Sequence, residues 1–421
     1  MNKCKIKACQ LFITIVVTMI LSGCGRIDNN VSLMSTPKSS KVEQEKLREA
    51  LNKFLPKGYE FATAKKSNPK QAIFFEDLNH DNNPESIILY RDTINNKPVH
   101  IIILEEKNGI LSRVSDVSTR YNYLDYFNIK DLDGDGKKEI IIGVGISDTE
   151  PSKQLYIYEL TENHMILKVE ATYEWIDIND YDGDNKQDIL LLNGEVNKDQ
   201  HAVLFHYNKG KLEQKSTIDL NSDAYHENIV GGKLSDGKQA VFIDSGVGAH
   251  SMLTEIVAYN KGKLSLIGNE DDGVLLKEYP LYSKDINKDG VIEVGGMEIP
   301  KGYEDAAMAE IPFIYTYNDY NIDGTKQMIQ QRYYDNRYHF YITIPKEWYN
   351  KVTIRNVLNG ILLVSAENRD ILFELNWVDK DAYDGTGIKL GENQNKVFYT
   401  TTKENMPIPR NNFHFLSEDL E

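Results

Sequence analysis

The chain has 421 residues, 41% of them hydrophobic, with 48 Lys and Arg against 64 Asp and Glu, a formal charge of −16. That acidity argues against a nucleic-acid partner and against attraction to anionic lipid, both of which call for a basic surface. The three cysteines are Cys4, Cys9 and Cys24, so the chain beyond residue 24 has neither a disulfide framework nor thiol chemistry.

The first element reads as an address. Lys3, Lys5 and Lys7 precede an apolar run, 11–21, that is too short to span a bilayer comfortably. It ends in Leu21-Ser22-Gly23-Cys24, which resembles the lipobox of bacterial lipoproteins. The resemblance implies a signal peptide, 1–23, and a diacylglycerol on Cys24 that anchors an extracytoplasmic protein to the bacterial cell membrane. The alternative is an ordinary secretory signal with a chance cysteine. Two acyl chains at ~0.8 kcal/mol per buried CH₂ give stable anchoring. Loss of the three signal lysines takes the formal charge from −16 to −19. Residues 24–41 are polar and aperiodic, a flexible tether. Segment 42–56 follows, with apolar residues at 42, 47, 50, 51, 54 and 55, the spacing of an amphipathic helix stopped by Pro56 and Gly58.

Four acidic segments then recur, at 77–85, 131–139, 180–188 and 285–293. Oxygen-bearing side chains stand at positions 1, 3, 5 and 9. They are Asp77, Asn79, Asp81 and Glu85; Asp131, Asp133, Asp135 and Glu139; Asp180, Asp182, Asp184 and Asp188; and Asp285, Asn287, Asp289 and Glu293. Position 6 is Gly or Asn, the types that tolerate the left-handed backbone. Such spacing wraps oxygen ligands around a hard cation such as Ca²⁺. One match would be weak, because acidic turns are common; four on one period are not. An EF-hand does not fit, since position 12 would be Ile88, Ile142, Leu191 or Gly296 and the flanks read as strands. The two loops with Asn at position 3 carry one charge less and are expected to bind more weakly.

Position 9 falls at 85, 139, 188 and 293, so the spacing is 54, then 49, then 105, about twice the period. A degenerate copy fills the gap at 232–240, where Gly232, Leu234 and Ala240 replace the ligands and the turn survives without its metal. Each unit reads as four short strands. The hairpins Tyr207-Asn-Lys-Gly-Lys-Leu212 and Tyr259-Asn-Lys-Gly-Lys-Leu264 are a second repeat mark. Four-stranded units on this period indicate a β-propeller of about five blades, with room for more, over 57–335. The segment 319–327 mimics a fifth metal loop, but it stands where the hairpin between strands three and four belongs and carries Gln327 at position 9. It reads as that turn rather than a metal site.

Over about 71–335 the chain resembles bacterial lipoproteins with FG-GAP or VCBS-type repeats, whose calcium loops are like those of integrin-type propellers. The resemblance implies structural Ca²⁺ at up to four loops, each joining strands one and two of a blade. It also implies a backbone-carbonyl ligand at position 7, which is Asn83, Lys137, Lys186 or Val291. The segment 338–348 is similar, more weakly, to C-terminal modules of such lipoproteins. Residues 336–421 read as a separate small β-rich domain with a modest core of its own.

No catalytic constellation stands out: there is no HExxH, GxSxG, Walker loop or GxGxxG opening a helix. His250, beside Ser251 in a Gly-rich connection, reads as an exposed residue of a permissive hairpin, and the 25 tyrosines as ordinary strand residues. The reading is therefore a calcium-stiffened scaffold, not an enzyme, that binds a protein or glycan. Its candidate binding loops join strands two and three, at 91–98, 144–153, 193–200, 244–252 and 296–308. Alternatives are an envelope hydrolase using Glu304 and Asp305, or a structural subunit docking through the C-terminal region.

Overall fold

A computed structural model describes residues 41–66, 70–94, 98–161, 164–248, 251–268, 273–401 and 410–416. Cys24, the signal segment, the tether before residue 41 and His250 lie outside them. The described residues are mainly β, with one α-helix, Lys41–Phe54, and six antiparallel sheets of four or five strands, none closed on itself. Among the described residues no helix is long and apolar enough to cross a membrane.

The chain divides into two compact units, 1–172 and 173–421. In the first unit, Leu47, Ala50, Leu51 and Leu55 of the helix pack on Ile73, Ile88, Tyr90 and Ile102 of the first sheet. That is the apolar stripe expected from their i, i+3, i+4 spacing. The first sheet has strands Tyr59–Phe61, Ile73–Glu76, Glu85–Asp92, Val99–Lys107 and Ile110–Ser118, and Tyr59–Phe61 pairs on the far half of Glu85–Asp92. The second sheet is a plain meander of Tyr123–Lys130, Glu139–Gly145, Lys153–Leu160 and Met165–Tyr173. Strands Glu85–Asp92, Val99–Lys107, Glu139–Gly145 and Lys153–Leu160 are buried over their central residues, as strands covered on both faces must be.

The second unit repeats the meander. The third sheet is Trp175–Asn179, Asp188–Gly194, Gln200–Asn208 and Lys211–Asp219. The fourth is Tyr225–Lys233, Gln239–Val247, Ser251–Asn260 and Lys263–Leu266, with Val274–Lys277 added on Ser251–Asn260. The Asn-Lys-Gly-Lys hairpins turn with positive φ at both central residues, 48° and 81° at Lys209-Gly210 and 51° and 88° at Lys261-Gly262. Those are the mirror-image turns that match strand twist. The degenerate copy at 232–240 is a tight turn, closed by Leu234 N–H donating to the Lys238 carbonyl at 2.8 Å.

The fifth sheet comprises Val294–Glu298, Ile314–Tyr320, Lys326–Asp335, Phe340–Ile344 and Phe413–Phe415. The segment 319–327 is the hairpin joining its second and third named strands, with Tyr320 facing Lys326. The sixth sheet is Val352–Val357, Gly360–Ser365, Ile371–Asp379, Lys396–Thr400 and Ile388–Glu392. The line drawn after 335 in the sequence falls between two paired strands, since Tyr333 faces Ile342. One core of Ile314, Tyr333, Phe340, Ile354, Phe373 and Phe398 runs across that line. The described residues of 336–421 thus share their core with the fifth sheet.

Candidate metal centres

All four acidic segments close in the same register. Glu76 pairs with Glu85, Lys130 with Glu139, Asn179 with Asp188, and Lys284 with Glu293. Position 9 therefore opens strand two directly opposite the residue that precedes position 1, and eight residues form each loop. Loops 77–85, 131–139 and 180–188 each join two paired strands, Ile73–Glu76 to Glu85–Asp92, Tyr123–Lys130 to Glu139–Gly145 and Trp175–Asn179 to Asp188–Gly194, whereas 285–293 joins the isolated bridge at Lys284 to the start of Val294–Glu298.

Position 9 is the anchor. Glu85, Glu139, Asp188 and Glu293 are 1%, 2%, 1% and 0% exposed. Each accepts the backbone N–H of position 2, from Leu78, Leu132, Tyr181 and Ile286, at 2.8–2.9 Å. Position 1 gathers the turn: Asp131 accepts from the N–H groups of Gly134 and Gly136 at 2.7 and 2.9 Å, and Asp180 from Gly183 and Asn185 at 2.7 and 3.0 Å. Asp77 and Asp285 do the same, taking Asn82 at 2.8 Å and Gly290 at 2.9 Å. Position 5 accepts the N–H of position 7, so Asp81, Asp135, Asp184 and Asp289 hold Asn83, Lys137, Lys186 and Val291 at 2.7–2.8 Å. The left-handed backbone expected at position 6 is present at Asn82, Gly136, Asn185 and Gly290, and position 4 adopts it as well, even at His80 and Lys288.

These bonds turn the carboxylates inward. Acceptor oxygens of Asp131, Asp133 and Asp135 lie within 4.8 Å of one another, as do those of Asp180, Asp182 and Asp184. In the other two loops an amide relieves the crowding: Asn79 Nδ2 donates to Asp81 at 3.1 Å, and Asn287 Nδ2 to Asp289 at 2.9 Å. Burial pushes the Glu139 carboxyl up to about 8, the charges of Asp133, Glu159 and Asp135 adding to it against the Leu132 N–H. Burial likewise raises Glu293 to about 7 and Asp188 to about 6, and lifts Glu85. One Glu293 oxygen, Oε1, is buried without a hydrogen-bond partner among the described residues. A set of hard oxygens wound by backbone N–H groups, with a buried carboxylate oxygen left open, fits a divalent cation such as Ca²⁺.

The sequence reading did not identify the residue that faces position 9 from strand three. His206 faces Asp188, and its Nε2 lies 2.9 Å from Asp188 and 3.1 Å from Asp182. The registers Ile140 with Tyr158 and Val294 with Asn318 put Glu159 beside Glu139 and Asp319 beside Glu293. Counting back from the Tyr-Asn hairpins would have found His206 and Asp319, each one residue before the tyrosine. Glu304 and Asp305 occupy an exposed stretch, with the Glu304 carboxylate accepting the Gly302 N–H at 2.9 Å.

No family model matches the chain, and no curated protein does. Among solved structures it is similar to Saccharomyces cerevisiae Sqt1, at 10% identity over 82% of this chain and 91% of that one, with a TM-score of 0.35. The exotype rhamnogalacturonan lyase YesX matches at 13% identity over 82% and 72%, TM-score 0.30. The Bacillus licheniformis rhamnogalacturonan lyase PL11 matches at 12% over 82% and 73%, TM-score 0.30. At such scores these likenesses carry no argument about what this chain does.

Proposed function

We propose that this chain is a lipid-anchored, extracytoplasmic scaffold whose four acidic loops hold Ca²⁺ and stiffen a β-propeller that binds a protein or glycan. The observation that carries the reading is the identical closure of all four loops, each with a buried position-9 carboxylate that accepts the position-2 N–H. The ion's part is structural. Extracellular calcium modules bind at about 10⁻⁴–10⁻³ M. At tenfold excess over Kd each occupied site stabilises by about 1.4 kcal/mol, and four by roughly 6 kcal/mol, as much as many domains possess in total. Position-7 residues Asn83, Lys137, Lys186 and Val291 would add backbone carbonyls. The candidate binding surface is made by the strand two-to-three connections, whose described parts include 144–153, 193–200 and 296–308. Equilibrium dialysis of the purified chain against radioactive calcium tests the metal half of the reading. It should saturate near four equivalents, and none bound at millimolar calcium would refute it.

A further inference from the structure

We propose that Asp319, on strand Ile314–Tyr320, is an additional carboxylate ligand of the cation at 285–293, which deepens the calcium reading and rests on it. In the sequence Asp319 opens the segment that mimics a metal loop, and in the fold that segment is the hairpin between Ile314–Tyr320 and Lys326–Asp335. In the fold the same carboxylate serves the genuine loop beside it.

The fifth-sheet register places Asp319 next to Glu293 on the same face, because Val294 pairs with Asn318. Glu293 is fully buried; one of its oxygens takes the Ile286 N–H from the loop at 2.9 Å, and the other, Oε1, has no partner among the described residues. Asp319 Oδ1 is buried and unpartnered in the same way. Two neighbouring carboxylates with no donor between them repel each other, and a dication between them reverses the sign. Elsewhere this register position is already satisfied. Glu159 is paired with Lys168 at 2.8 Å, and His206 lies against Asp188. Among the described residues no lysine or arginine closes on Asp319.

Two further features tie the position to the ion. In the repeat that lost its acidic loop, position 9 is Ala240 and the facing residue is Ala258, so both members of the pair have gone together. In the fifth sheet the pairing of Ile314–Tyr320 with Lys326–Asp335 slips between Tyr317 and Asn318, immediately before Asp319, and in the third sheet that of Gln200–Asn208 with Lys211–Asp219 slips between Leu204 and Phe205, immediately before His206. The fourth-sheet hairpin, from Val257 to Asn260 against Lys263 to Leu266, runs without a slip. Bulges re-aim side chains at sites.

Calcium binding by the full chain, measured by calorimetric titration for the wild type, Asp319→Asn and Asp285→Asn, tests this. Loss of a ligand carboxylate should weaken one site about tenfold or more and leave the others untouched. Asp285→Asn should remove that same site. In EGTA, Asp319→Asn should melt no lower than the wild type, since a repulsive pair has been relieved. Full affinity in Asp319→Asn, at a site that Asp285→Asn abolishes, would overturn the assignment of Asp319 alone. An Asp285→Asn chain that binds as the wild type does would overturn the loop reading and this proposal with it. A marked loss of metal-free stability in Asp319→Asn would show a packing role and contradict ligation.

Discussion

Lys277 Nζ lies 2.9 Å from Asp244 Oδ1, both side chains almost wholly buried. Asp244 also accepts from Asn228 Nδ2 and Ser283 Oγ at 2.9 Å and from the Ser283 N–H at 2.6 Å. The pair sits in the fourth sheet, whose turn has no acidic loop. It ties that sheet to Ser283, one residue before Lys284, which pairs with Glu293. Burial opposes the Asp244 charge, but Lys277 and the hydrogen bonds more than offset it, holding the carboxyl below its ordinary range. Removing one partner of a buried pair costs about 3–5 kcal/mol, because the other charge is left alone. Asp244→Asn should therefore lower the unfolding free energy by that much in urea titrations. Through Ser283 it should also weaken cation binding at 285–293.

The metal-free protein should lose stability as pH rises. Glu139 and Glu293 are held up at about 8 and about 7 in the folded chain. Their unfolded value is about 4.3. A raised carboxyl favours folding while it is protonated, and that contribution disappears as pH climbs from about 4.3 through the folded values. In EGTA the melting temperature should fall between about pH 5 and 8, and saturating calcium should flatten the profile by binding the ionised form. Glu139→Gln should remove part of the fall.

Position 9 separates the cost of the empty loop from the benefit of the filled one. The amide oxygen introduced by Glu139→Gln can still accept the Leu132 N–H, so this variant should leave the metal-free melt unchanged or raised. Its calcium-induced stabilisation should shrink by about 1.4 kcal/mol at tenfold excess over Kd. Differential scanning calorimetry with and without calcium measures both.

The proposed anchor has its own test. If Cys24 carries the proposed diacylglycerol, Cys24→Ala should move the protein from the membrane fraction to the soluble fraction, because two acyl chains suffice for stable attachment. Retention of Cys24→Ala on membranes would refute lipidation at that residue.

The parts legible in the sequence are those written by local spacing. Asp131, Asp133, Asp135 and Glu139 lie within nine residues, so their convergence depends on one turn. The repeat at 232–240 followed from counting alone. Asp319 and His206 were hidden because their meeting with Glu293 and Asp188 depends on the register of a hairpin and on a bulge, neither of which the acidic pattern encodes. The boundary after 335 was missed for a similar reason. Phe340–Ile344 alternates like any strand, and its partners are Lys326–Asp335 on one side and Phe413–Phe415 on the other. A pairing over that separation leaves no local mark.

Thermal melting of the purified chain in calcium and in EGTA tests the central claim most directly. Each compact unit carries two of the four loops, 77–85 and 131–139 in one, 180–188 and 285–293 in the other. Two filled sites stabilise a unit by about 3 kcal/mol at tenfold excess over Kd. For units of this size that corresponds to a rise of roughly 6–12 °C. A melt of that order in calcium, reversed by EGTA, is the predicted result. Superimposable melts in calcium and EGTA would contradict the account.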